Sequence, residues 1–280
     1  MKLARLQVND RIIPVVADEE GNWRDIGDLV PDLTPEALRD GIVSRLQGMD
    51  LGQRQAVEGS PRPFLSRFGK IICIGLNYYD HAAEMSLPTP DHPIMFMKGC
   101  DVTGAQDPII IHEGAEKTDW EVELGVVIGK TTRRVSEADA LSHVAGFCIA
   151  NVVSERHWQF DLGGQWAKGK SGDSFAPVGP FMATCDEIAD PQNLALWLEV
   201  NGERMQTGST RTMIFSVAQI VAHLSRFVTL HPGDLIMTGT PPGVGTGQKP
   251  PKFLKVGDTV TASISGLGEM RQPVISYKDA

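Results

Sequence analysis

A chain of 280 residues with 41% hydrophobic and 22% charged side chains carries enough apolar material for one large core and too few charges for gross disorder. Its net charge of -9, with no run of Lys or Arg, excludes a basic nucleic-acid-binding face. A small anionic substrate stays open, because a local lysine or metal ion outweighs an acidic whole. The N-terminal MKLARLQVND lacks an apolar segment, and no later run approaches membrane length, so a cytoplasmic protein with no membrane partner is expected.

Residues 1–65 read as a small N-terminal domain. Thr34 is suited to cap a helix, with Pro35 at its first position and Glu36 behind it. Gly48, Gly52, Gly59, Pro61 and Pro63 then loosen the chain, and residues 66–280 form the second, larger domain. IICIG (71–75), ELGVVIG (123–129) and GFCIAN (146–151) predict short buried strands. LALWLEV (194–200) runs into Asn201-Gly202, a strong hairpin signal. Ser216 opens a helix with Gln219 as capping-box partner, and Val217, Ile220, Val221 and Leu224 give it an apolar face. His231-Pro232-Gly233-Asp234 makes a turn from which DLIMTG returns as a strand. Strands with Gly/Pro turns and few helices predict a β-rich α+β fold, not a doubly wound sheet. Cys73, Cys100, Cys148 and Cys185 form no CxxC pair and are expected to be buried reduced thiols.

Four segments contain residue patterns that suit chemistry. In DWEVELGVVIGK, Glu121 and Glu123 lie two apart, on one face of a strand. Two carboxylates so placed repel unless a cation lies between them, and Mg²⁺ or Mn²⁺ wants such oxygens. Ordinary solvated alternation gives the same spacing, but the apolar run Leu124–Ile128 argues for burial. In GLNYYDHAAEM, His81 and Glu84 are helical i,i+3 neighbours beside Asp80, the arrangement of an oriented general base or of a mixed-charge surface helix. Pro88, Pro90 and Pro93 follow, as in a flap that orders over substrate. GGQWAKGKSGDSF matches the phosphate-loop pattern at Gly164, Gly169, Lys170 and Ser171, yet no apolar strand precedes it and Gly172, Asp173 and Pro177 follow, so nucleotide hydrolysis is rejected. Lys170 remains available to stabilise an oxyanion. TGTPPGVGTG (238–247) runs into Pro250 and Pro251 and opens no helix; it is a long turn or a carboxylate cradle, not a dinucleotide fingerprint.

Taken in order, IICIGLNYYDHAAE, MFMKG, DWEVELGVVIGK, the stretch from Ala150 to Gln159, GQWAKGKSGDSFAPVGP, TMIF and PGDLIMTGTPPGVGTG resemble the fumarylacetoacetate hydrolase family from about Lys70 to Lys255. The resemblance implies a mixed β-sandwich roll behind a small N-terminal domain, in a homodimer or homotetramer. It implies a metal-dependent hydrolase of keto acids using Mg²⁺ or Mn²⁺. Glu121 and Glu123 match metal ligands, His81 and Glu84 the water-activating dyad, Lys170 and Gln159 groups facing the substrate, and Thr240 a substrate-carboxylate contact. SERHWQ, KGKSGDSF and GVGTGQKPP are most similar to the 2,4-diketo-3-deoxy-sugar-acid hydrolases of sugar-acid catabolism, which release pyruvate and a hydroxy acid. Decarboxylation or isomerisation of a related acid, or keto-acid binding without catalysis, are the alternatives. One departure stands out: the family's third metal carboxylate falls at position 152, which here is Val152 in Asn151-Val152-Val153-Ser154. Weakened metal affinity is expected.

Overall fold

A computed structural model describes all of residues 1–280. The strand predicted from IICIG forms at Ile71–Gly75, and the two apolar runs form Val122–Ile128 and Val144–Asn151. Both of the latter are buried along their whole length, because both sheet faces are covered. They pair antiparallel at the centre of an 11-stranded sheet. Leu235–Met237 joins Val122–Ile128 on its other side, followed by Ile71–Gly75 and the edge strand Ile94–Lys98. The far side of the same sheet continues through Ala176–Thr184 into Lys2–Val8, so the leading segment adds its strands to the central sheet.

Strand alternation sends side chains to two separate cores. Val122, Leu124, Val126 and Ile128 face a 5-stranded sheet that includes Ala195–Val200 and Thr259–Ile264, and share one core with Leu196, Leu198, Val260 and Ile264. Helix Val217–Ser225 closes that core, with Ser216 and Gln219 forming the expected capping box. Asn201 and Gly202 turn the hairpin between Ala195–Val200 and Glu203–Ser209, both at positive φ of 53° and 79°, as a type I′ turn requires. The opposite face carries Val127, Cys148, Ala150 and Val152, and packs against Ile26, Leu38, Ile42 and Leu46 of the leading segment. Thr34 caps helix Pro35–Arg39 there as predicted. The fold is thus a strand-rich α+β sandwich. No helix is long and apolar enough to cross a membrane.

The cysteines depart in part from expectation. All four are free and Cys73 and Cys148 are buried, but Cys100 is half-buried and Cys185 exposed. Cys185 falls just beyond the end of strand Ala176–Thr184, where the chain has left the covered part of the sheet.

Candidate active site

The buried face of Val122–Ile128 becomes polar at its N-terminal end. Glu121 and Glu123 point to the same side, and the antiparallel register sets Glu123 opposite Ala150. One step further, the Val152 amide donates to the Glu121 carbonyl at 2.8 Å. Cross-strand neighbours share a face, so the side chain of residue 152 stands beside Glu121. It is an isopropyl group, fully buried among Ala150, Ala176 and Val178.

Two cations complete the floor. Lys170 Nζ donates to Glu121 Oε2 at 2.7 Å and Arg156 Nη2 to Glu121 Oε1 at 2.7 Å. Arg156 also binds the buried Asp119 and reaches Gln159 Oε1 at 3.0 Å. Burial alone would raise the Glu121 carboxyl, but Lys170 and Arg156 outweigh it and hold it well below the usual range. Glu123 makes no ion pair; its carboxyl accepts from the Gly239 amide at 2.8 Å. Burial, then the charge of Glu121, push its carboxyl well above the usual range. Behind the floor, Lys98 donates to the carbonyls of Val153 and Lys170, and burial lowers its ammonium to about 8.

The rim comes from elsewhere in the chain. Helix Tyr79–Glu84 forms at the predicted place, and His81 Nδ1 lies 2.9 Å from Glu84 Oε2. Glu84 Oε1 accepts from the Gly243 amide at 2.8 Å, which ties the helix to the TGTPPGVGTG loop. A Cβ at Gly247 would lie 2.8 Å from the Glu84 carboxyl, so glycine there lets the loop close on the helix. Floor and rim enclose a cavity of about 170 Å³ lined by His81, Glu121, Glu123, Arg156, Gln159 and Lys170, with Phe96, Leu87 and Trp166 as apolar walls. That is smaller than the roughly 300–1,000 Å³ usual for drug-sized ligands. It suits a small acid. A wider hollow of about 600 Å³ beside Asp18 and Arg24 is open, and those two charges satisfy each other.

Of the site residues read from the sequence, His81, Glu121, Glu123, Gln159, Lys170 and Thr240 line this pocket, while Glu84 stands behind His81. Lys170 ends the short helix Trp166–Lys170, which turns the residue of the apparent phosphate loop inward. Thr240 lines the pocket, but its hydroxyl donates to the Val122 carbonyl and accepts from Gln206, so it braces the floor. Arg156, Asp119 and Gln206 were not singled out from sequence. Arg156 stands three residues before Gln159, a weak signal on a helical turn. Asp119 receives the Gly245 and Thr246 amides as well as Arg156, and Gln206 receives the Val122 amide from a different sheet. Nothing local marks those pairings.

The donor set does not fit a resident divalent cation. Such an ion takes about six oxygen ligands. Here Glu121 has both oxygens engaged by cations, one Glu123 oxygen is taken by a backbone amide, and the third corner is Val152. No three His, Cys, Asp or Glu side chains are placed together so as to hold a metal ion.

A sheet sandwich whose buried end joins paired carboxylates, a lysine and a His–Glu dyad has the make-up of an enzyme's active site. The chain belongs to the fumarylacetoacetate hydrolase family: residues 70–275 match the model for the fumarylacetoacetate (FAA) hydrolase C-terminal domain. A Burkholderia ambifaria protein that carries only a provisional hydrolase name is 53% identical over 97% of this chain and 98% of its own length. The fumarylacetoacetate hydrolase of Exiguobacterium antarcticum superposes with a TM-score of 0.89 at 34% identity, covering 99% of each chain. The maleylpyruvate hydrolase of Sphingobium sp. SYK-6, solved with manganese(II) and pyruvate, superposes at 0.81 with 26% identity over 99% of each chain.

Proposed function

We propose that the chain cleaves the C3–C4 bond of a 2,4-diketo acid, with a 2,4-diketo-3-deoxy sugar acid as the substrate class, giving pyruvate and a hydroxy acid. The observation that carries this reading is the His81–Glu84 pair set over a cavity floored by Lys170 and Arg156. Glu84 accepts a hydrogen bond from the Nδ1–H of His81, which leaves the unprotonated Nε2 as the base. Nε2 accepts a proton from water as the water adds to the C4 carbonyl. The C3–C4 bond then breaks, its electron pair passes into the enolate of pyruvate, and C3 collects a proton. Lys170 stabilises the enolate oxygen. Leu87, Phe96 and Trp166 keep bulk water off the reacting atoms. The pyruvate bound in the Sphingobium relative supports this product.

The test is pyruvate release from such a substrate. His81→Ala should lower turnover by about 10²–10⁴, the usual worth of general-base catalysis. A second reading is isomerisation of a dienoate, favoured by the 2-hydroxyhepta-2,4-diene-1,7-dioate isomerase of Mycobacterium marinum, 30% identical with a TM-score of 0.75. That reaction needs no attacking water. Turnover of a dienoate, with no pyruvate released from diketo acids, would replace hydrolysis by isomerisation.

A further inference from the structure

The mismatch between the carboxylate pair and a divalent cation has its own functional meaning. Residue 152 stands just past the end of the adjacent strand, where its amide bonds the Glu121 carbonyl, so it is the third corner beside the buried Glu121 and Glu123. Valine there donates nothing. The charged groups lining the cavity, apart from His81, are two carboxylates, Glu121 and Glu123, and two fixed cations, Arg156 and Lys170. Both cations are anchored from behind, Arg156 by Asp119 and Lys170 by its main-chain carbonyl on Lys98, so they keep their positions when a ligand arrives.

We infer that this pocket receives the carboxylate and 2-oxo oxygens of a small acid directly on Lys170 and Arg156, with no divalent cation between, and that Val152 sets this mode. The inference rests on the keto-acid reading above and adds how the acid is held. An ammonium and a guanidinium both donate charge-assisted hydrogen bonds to carboxylate oxygens, and the guanidinium does so in a fixed fork. Lys170 also lies 5.3 Å from the Phe96 ring centroid, which shields it from water on the apolar side of the cavity.

Oxalate, which presents a carboxylate beside a second carboxyl oxygen, is the probe. Calorimetric titration of EDTA-treated protein should give the same oxalate Kd with and without added Mn²⁺. Lys170→Met should weaken oxalate binding at least about tenfold, since a charged hydrogen bond contributes roughly 1.5–3 kcal/mol. Mn²⁺ electron paramagnetic resonance should show the wild-type chain leaving the free-ion signal nearly intact. Val152→Asp should quench it with at least about tenfold higher affinity, the lower bound of what even outer-shell partners of a metal contribute. Oxalate binding that requires Mn²⁺ in the wild type, or equal Mn²⁺ affinity in the two chains, would overturn the inference. Should Val152→Asp fail to fold, the wild-type and Lys170→Met titrations decide the matter alone. Metal-free oxalate binding with no pyruvate from any diketo acid would uphold this inference and remove the proposed hydrolysis.

Discussion

The floor and the rim of the pocket are built in opposite ways. The floor is a pair of fully buried strands that carry Glu123 in their register and Glu121 and Val152 just beyond their paired ends, with Lys170 and Arg156 clamped onto Glu121. The rim is a helix of six residues with no side-chain cap at its N-terminus. Glu84 holds it to the loop through one backbone amide. Charge in the floor is therefore bound up with folding, whereas the rim contributes geometry that can be removed without unfolding the core. Stability variants should map to the floor and turnover variants to the rim.

The largest effect is expected from Glu121→Gln. It leaves Lys170 and Arg156 on a neutral group inside the protein, and breaking a buried pair costs about 3–5 kcal/mol. Urea denaturation should show the midpoint falling accordingly; an unchanged midpoint would mean that the floor is wetter than its burial implies. Glu84→Ala should behave in the opposite sense. Loss of the His81 and Gly243 contacts at this partly exposed helix should cost about 1.5–3 kcal/mol of stability, while pyruvate release falls by about 10²–10⁴. A comparable collapse of stability would erase the distinction between the two regions.

Next comes a pH effect from Lys98. Burial lowers its folded value to about 8 from an ordinary 10.5. Between these values the unfolded chain binds the proton and the folded chain does not, so this group makes stability rise as pH climbs from about 8 to 10.5. Below that window both states carry the proton, and the cost of burying the charge is present in full. Across the window the wild-type midpoint should gain on that of Lys98→Met, a difference that isolates this group from the buried Cys73 and Cys148 thiols, which pull the other way. The smallest effect is expected from Glu123→Gln. The amide oxygen keeps the Gly239 bond, no cation loses its partner, and the carboxyl it replaces already favours its neutral form. A stability change under about 1 kcal/mol in urea, set against several for Glu121→Gln, would show that the two carboxylates do different work. A large change would mean that Glu123 bears charge in the folded chain.

Much of this was legible beforehand where the signal is local. Strand period puts Glu121 and Glu123 on one face, helical period brings His81 to Glu84, and the Ser216 capping box and the Asn201-Gly202 turn need only their own neighbours. Lys170 was legible as a residue but not as a partner. Its apparent phosphate loop ends in a five-residue helix that aims the ammonium at a strand 49 positions away along the chain. Thr240 reaches the pocket as the resemblance implies, and its hydroxyl donates to the backbone of the glutamate strand, a pairing no local pattern marks.

By itself, then, the sequence determined which candidate side chains share a strand face or a helical turn, because alternation, capping and turn residues act over a few positions; the family fold was legible in the ordered motifs between Lys70 and Lys255. Only the tertiary structure decided how the charges are shared. That Arg156 and Lys170 both bind Glu121 while Glu123 has no cation, and that Val152 stands beside them, follow from strand register and from loops folding back across the sheet. Electrostatic coupling depends on distance through space and on burial, and the linear order of residues sets neither.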